Sequence, residues 1–152
     1  MELSALGWDA GFEQAFASWH EQGLIAARVA VENKHAYVVV TTEGGISAAV
    51  SGKFLHHRAS NAELPKVGDW VAVARTSGEE KGVIHGVLPR RTRLARKLAG
   101  RQVEEQVLAA NVDHAFIVQA LDQPLNLRRQ ERFLVMVREG VCNRSSSSTR
   151  PT

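Results

Sequence analysis

The sequence has one cysteine and no long apolar stretch. Because Cys142 has no second cysteine to pair with, no disulfide can form within the 152 residues. A membrane-spanning helix needs roughly 20 apolar residues in a row, and no segment approaches that length. The first residues, MELSALGWDAGFEQ, lack the basic flank and apolar stretch of a secretory signal. We therefore expect a cytoplasmic protein with no membrane partner.

Two segments lack charge of one sign. Residues 1–23 carry acids but no lysine or arginine, whereas residues 89–101, PRRTRLARKLAGR, carry bases and no acid. The net charge of +3 hides this asymmetry. A basic block of this kind is either a solvated face or a strip that binds phosphate groups.

Motifs that carry catalytic chemistry are also scarce. The stretch GGISAAVSGKF resembles a phosphate-binding loop, but Gly45 and Gly52 stand further apart than that motif allows, and Phe54 replaces its hydroxyl residue. His56 and His57 are adjacent, with no cysteine or carboxylate at the spacing of a metal site. We expect no catalytic residue, no nucleotide-binding residue and no metal ligand in this chain.

The N-terminal segment has the period of a helix. In residues 8–23, WDAGFEQAFASWHEQG, the apolar residues recur every three to four positions, and Gly23 is placed to end the helix. The predicted apolar face, which we expect to pack on the next domain, consists of Phe12, Ala15, Phe16 and Trp19.

From Leu24 the apolar period changes to two. Short segments rich in β-branched residues alternate with turn-forming residues, and their sequences are LIAARVAVE, HAYVVVTT, GISAAVSGKF, DWVAVART and GVIHGVL. Five strands predict a mainly β fold, a closed barrel of the oligonucleotide-binding (OB) type over residues 24–89, since a sandwich usually needs about seven strands. HHRASNAELPK stands where such a barrel carries a helix or excursion.

Residues 102–140 have an α/β pattern after a basic connector at 90–101. The apolar run AFIV, residues 115–118, predicts a strand covered on both faces, and residues 127–137 repeat at helical spacing. One strand and one helix cannot close a core. We therefore predict the start of an incomplete domain.

The barrel and the basic connector together predict RNA binding. OB barrels bind single strands through a charged groove and aromatic platforms, and Trp70 either stacks on a base or closes the barrel. Basic side chains neutralise phosphates with little sequence preference. The predicted RNA-binding residues are Arg90, Arg91, Arg93, Arg96, Lys97, Arg101, Lys53 and Trp70.

Over about residues 1–140, the sequence resembles the ribosome small subunit-dependent GTPase A family, RsgA/YjeQ. The resemblance is carried, in order, by GDWV, LPRRTRLARK, EQVLAANVDHAFIVQALD and NLRRQERFLV. It implies an N-terminal OB barrel, a circularly permuted GTPase domain and a C-terminal zinc-binding domain. It also implies a role in late maturation of the small (30S) ribosomal subunit, with that subunit and its 16S rRNA as partners of a monomer. A full-length member would use GTP, magnesium and zinc.

The last segment, VCNRSSSSTRPT at 141–152, departs from the family. Serine codons of the TCN type, read two bases later, become codons for Phe, Leu, Ile or Val. The shifted frame can therefore encode an apolar strand that ends in the guanine-reading NKxD motif. We expect an out-of-frame tail, and the alternative is a native serine-rich disordered tail.

With no NKxD motif and no phosphate loop, the chain alone is expected not to hydrolyse GTP. It would then be an N-terminal fragment that supplies 30S and rRNA binding. The alternatives are a stand-alone OB-fold RNA-binding module and a non-functional truncated product.

Overall fold

The computed structural model describes residues 1–34, 36–76, 81–97, 105–120, 124 and 126–142. The chain divides after Arg90 into two compact units, which we call the barrel unit and the C-terminal unit. Within the described residues, no helix has the length and apolar character needed to cross a bilayer.

A closed five-stranded barrel forms the centre of the barrel unit. The strands are Ile25–Glu32 (β1), Tyr37–Thr41 (β2), Gly44–Val50 (β3), Trp70–Arg75 (β4) and Lys81–Val87 (β5). They close in the order β1-β2-β3-β5-β4, and all pairs are antiparallel except β3 with β5. The predicted mainly β fold with a five-stranded OB-type barrel is confirmed.

The barrel interior is filled by the apolar side chains that alternate along each strand and face inward. Val29, Val39, Val73 and Ile84 are almost fully buried there. Burying each side chain of this size contributes about 1.5–3 kcal/mol. The β-branched residues that mark the strands in the sequence therefore also build the core.

The predicted N-terminal helix, Ala10–His20 (α1), covers the outside of β4. Asp9 caps it, because its Oδ1 accepts hydrogen bonds from the backbone amides of Gly11 and Phe12 at 2.9 and 3.3 Å. Phe12 and Phe16 are buried against Trp70 in a second apolar cluster. Residues 70–73 are therefore buried on both faces of β4, with one face inside the barrel and the other under α1.

The third predicted strand is shorter than its sequence pattern suggested. It ends at Val50, and the following residues form a short helix, Gly52–His57 (α2). The Ser51 Oγ atom accepts a hydrogen bond from the Phe54 amide at 3.1 Å and so caps this helix. A 3-10 turn at Asn61–Glu63 follows.

The C-terminal unit contains two strands and one helix in its described residues, Arg93–Lys97 (β6), Glu105–Ala110 (β7) and Leu127–Cys142 (α3). Strands β6 and β7 pair antiparallel, and α3 packs against β6. The expected basic connector thus includes a strand. The helix predicted at 127–137 is confirmed and continues to Cys142.

The strand expected at residues 115–118 is not formed. Phe116 and Val118 are each 90% exposed. An apolar run becomes a strand only where another strand accepts its backbone hydrogen bonds, and among the described residues none pairs with this segment. Residues 143–152 of the serine-rich tail lie outside the described residues.

Candidate nucleic-acid interface

The start of β6 is anchored by the loop that follows β7. Asn111 has a positive φ of 53°, a conformation that asparagine tolerates better than most residues. Its side-chain Oδ1 accepts a hydrogen bond from the Arg91 backbone amide at 2.9 Å, and its backbone amide donates to the Thr92 carbonyl at 2.8 Å. The Thr92 hydroxyl donates to the Val112 carbonyl at 2.7 Å. These bonds hold the exposed Arg91 and the first residues of β6 in a defined place.

Three bases of β6 are exposed: Arg93, Arg96 and Lys97. The Arg93 guanidinium lies 2.8 Å from the Glu105 carboxylate, and both side chains are substantially solvent-accessible. The Arg96 Nε atom donates to the neutral Gln106 Oε1 atom at 2.8 Å. An exposed ion pair contributes less than about 1 kcal/mol. A phosphate group can therefore replace these partners at small cost, and β6 is the candidate interface.

Arg90 does not belong to this exposed set. Its guanidinium donates to both carboxylate oxygens of Asp69, at 2.7–3.1 Å, and to the carbonyl oxygens of Ala62 and Leu64, at 2.7 and 2.8 Å. Asp69 is fully buried, and the Arg90 side chain is 14% exposed. Because four of its five N–H donors bond inside the barrel unit, we leave Arg90 out of the proposed phosphate-binding set.

Trp70 is a core residue. It is 0% exposed, its ring lies edge-on to Trp8 with 4.7 Å between centroids, and the Arg28 guanidinium carbon lies 5.7 Å from its ring centroid. A base cannot stack on a ring that α1 covers. The sequence left two roles open for Trp70, base stacking and closing the barrel, and neither matches its position, because Trp70 packs on the outer face of β4 under α1.

The two remaining predicted residues have different outcomes. Lys53 is exposed on α2, in the barrel unit. Arg101 lies outside the described residues, and its role stays a prediction.

The stretch GGISAAVSGKF does not form a phosphate-binding loop. Gly45 lies within β3, paired with Val40, and the Phe54 amide at the start of α2 already donates to Ser51. The stretch GGISAAVSGKF is therefore a strand followed by a capped helix, whereas a phosphate loop presents free backbone amides. Across the described part of the chain, no group of three or more metal-ligating side chains is found.

The model of the RsgA GTPase family matches residues 87–144. The small ribosomal subunit biogenesis GTPase RsgA of Opitutus terrae is 47% identical over 146 residues, covering 91% of this chain. Its namesake in Syntrophotalea carbinolica is 40% identical over 147 residues, also covering 91% of this chain. Over the matched residues, this chain belongs to the RsgA family. It spans 40% of the length of each of these two relatives.

Two solved structures share the fold of this RsgA-family chain. The crystal structure of YloQ, a circularly permuted GTPase, matches with a TM-score of 0.51 and 20% identity over 78% of this chain and 38% of that one. YjeQ from Thermotoga maritima matches with a TM-score of 0.53 and 24% identity over 77% of this chain and 38% of that one. At such identities the likeness concerns the fold alone. The family resemblance drawn from the sequence is confirmed.

Proposed function

We propose that this chain is the RNA-contacting part of a small ribosomal subunit biogenesis GTPase and that it binds the 30S subunit through phosphates of 16S rRNA. The observation that carries the proposal is the exposed basic surface of β6, Arg93, Arg96 and Lys97, in a chain of the RsgA family. A cytoplasmic location follows from a ribosomal partner, and we expect the chain to bind as a monomer.

The chemistry of this contact is electrostatic exchange. Arg93 and Arg96 leave their partners Glu105 and Gln106 and bind phosphate oxygens, while condensed counterions leave the RNA. Guanidinium groups suit this task because their planar forks can donate two hydrogen bonds to one phosphate. Binding of this kind is strong at low salt and reads little sequence.

The nucleotide chemistry of the family is not assigned to the described residues. Full-length relatives carry the name GTPase, and we propose that GTP, magnesium and any structural zinc are held by segments of such proteins outside the span matched here. This chain then contributes binding and placement on the subunit.

The test is cosedimentation of the chain with purified small ribosomal subunits over a range of salt concentrations. In the variant Arg93→Gln/Arg96→Gln, we expect weaker binding and a shallower dependence of log K on log salt, by about 0.7–0.9 for each phosphate that the variant no longer neutralises. The matched control is Gln14→Glu/Gln22→Glu, which changes the net charge equally at exposed positions in and just after α1.

Equal affinity and equal salt dependence in the two double variants would overturn the assignment of β6 as the contact. Thermal unfolding of each variant, followed by circular dichroism, shows whether the fold is kept.

The rival function, a stand-alone RNA-binding module, is disfavoured by one observation. The apolar side chains of Phe116 and Val118 are each 90% exposed, whereas soluble modules rarely leave adjacent large apolar groups in water. We propose that in longer relatives the corresponding residues are covered by the remainder of the domain.

A further inference from the structure

The segment between Glu43 and Glu63 contains no carboxylate, yet it carries several bases. They lie on α2 or directly after it. We call this set the α2 basic surface, and its members are Lys53, His56, His57 and Arg58. The side chains of Lys53, His56 and His57 are exposed, and Arg58 is half-buried.

Three other bases of the barrel unit form ion pairs with acids. Lys66 is paired with Glu32, Arg75 with Glu43, and Arg90 with Asp69. Among the residues that the structure describes, no carboxylate forms an ion pair with the α2 basic surface.

The acid next along the chain from this surface, Glu63, forms no ion pair with it. Glu63 accepts a hydrogen bond on its Oε2 atom from the Ala59 amide at 3.2 Å. Among the described residues, the positive charge of the α2 basic surface therefore has no acidic partner.

The surface is held rigidly on the barrel. The Ser51 amide donates to the Ile84 carbonyl of β5 at 2.9 Å, and the Ser51 hydroxyl oxygen caps α2. At the other end, the Arg58 amide donates to the Phe54 carbonyl at 3.1 Å. Groups fixed before binding lose less entropy when a ligand arrives.

One histidine of the surface is also oriented. The His57 Nδ1 atom lies 2.7 Å from the Lys53 carbonyl oxygen. A carbonyl oxygen can only accept, so Nδ1 carries a proton, and Nε2 donates to a phosphate only when it carries a proton as well.

We infer that the α2 basic surface is a second contact for the phosphate backbone of RNA, separate in sequence from β6. The inference rests on the proposed function, since it names a further part of the chain that holds the same partner. An anionic membrane fits less well, because a helix that lies on a bilayer needs a wide apolar face. In α2, Leu55 is 44% exposed, while Phe54 is partly buried.

The experiment measures binding of labelled poly(U) RNA to the full chain by fluorescence anisotropy at several salt concentrations. The variant is Lys53→Gln/Arg58→Gln, and the control is again Gln14→Glu/Gln22→Glu, with the same change in net charge. We expect several-fold weaker binding by the variant than by the control. We also expect its log K to depend less steeply on log salt, by about 0.7 for each phosphate of the single strand that the variant fails to neutralise.

The outcomes separate this inference from the proposed function. If the Lys53→Gln/Arg58→Gln variant matches the control while Arg93→Gln/Arg96→Gln binds more weakly, the inference is overturned and the proposed function stands. If only the α2 variant is weakened, the inference stands and β6 is not the contact.

Two further results would also decide against the inference. Failure of the unaltered chain to bind poly(U) at low salt would overturn both proposals. Binding to phosphatidylglycerol vesicles that depends on Lys53 and Arg58, with RNA binding unchanged, would replace the RNA partner by a membrane.

Discussion

At the scale of single residues, the most consequential contact is the buried ion pair between Asp69 and Arg90. Asp69 also accepts a hydrogen bond on Oδ2 from the Lys66 amide at 2.8 Å. Arg90 donates in addition to the Ala62 and Leu64 carbonyls. This network ties the excursion between α2 and β4 to the last residue of the barrel unit, so its role is structural.

We expect Asp69→Asn to destabilise the barrel unit by about 3–5 kcal/mol, since it leaves a largely buried guanidinium without its counter-charge. Urea unfolding measures this decrease. The control, Glu43→Gln, removes the exposed partner of Arg75 and should cost less than about 1 kcal/mol. Similar decreases for the two variants would contradict the structural importance of the buried pair.

Tyr37 provides a pH-dependent prediction. Burial raises the pKa of its phenol above 10.0, the negative charge of Glu32 raises it further, and Arg58 opposes the rise. The folded state thus keeps a proton that the unfolded chain releases. The resulting contribution to stability is complete below about pH 10 and disappears as the pH rises beyond that value.

The variant Tyr37→Phe cannot ionise. We therefore expect its free energy of unfolding to fall less between about pH 9 and pH 11 than that of the unaltered chain. Urea unfolding at several pH values measures how steeply the free energy of unfolding of each protein falls with pH. An equal fall in the two proteins would show that the phenol is not protected from ionisation.

At the scale of elements, the helix α1 and strand β5 meet where one glycine leaves room for an indole. A Cβ atom on Gly86 would lie 2.6 Å from the ring of Trp19. Trp19 belongs to the face of α1 that the sequence marked as apolar. The absence of a side chain at residue 86 thus sets how closely the helix packs on the barrel.

We expect Gly86→Ala to cost about 1–3 kcal/mol through overpacking. The control, Gly45→Ala, places a Cβ at an ordinary 3.9 Å from Val38 and should be nearly neutral. In a chain that carries Trp19→Leu, Gly86→Ala should cost less stability than in the unaltered chain, because the smaller side chain leaves room for the added Cβ atom. Thermal unfolding of the unaltered chain and the four variants measures these costs. Additive effects in the double variant would refute the clash.

At the scale of the whole molecule, two compact units are joined at Arg90, and the family model matches residues 87–144, most of them in the C-terminal unit. Hydrolysis of GTP depends on amides, a lysine and a metal positioned around the phosphates. Residues 45–53, whose sequence comes nearest to the phosphate loop among the motifs considered, do not provide such a cradle, because they are a strand and the start of a capped helix.

We therefore expect a purified polypeptide of residues 1–152 to release no phosphate from GTP, with or without magnesium and small ribosomal subunits. A malachite-green assay measures this, and a full-length relative serves as the positive control. Turnover that copurifies with the chain through several columns would refute the expectation.

The local sequence pattern was sufficient to predict the elements in which apolar residues recur regularly on one face. The barrel strands and α1 were predicted because period-two β-branched residues and helically spaced aromatics identify a buried face without reference to distant residues. Strand β6 was missed, since Arg-Leu-Ala-Arg-Lys carries too much charge to read as a strand. The helix or excursion expected at residues 56–66 begins earlier, as α2, because apolar alternation continued past its cap, Ser51.

The sequence by itself determined the barrel, the amphipathic helix, the basic strip and the family to which the chain belongs. Only the tertiary structure decided that Arg90 turns inward to Asp69, 21 positions away, while Arg93 and Arg96 stay exposed. It also decided that α1 covers Trp70 and that residues 115–118 have no partner strand among those described. The physical reason is that periodicity reports which face of an element is apolar, whereas ion pairs, ring contacts and strand pairing join residues far apart in the chain.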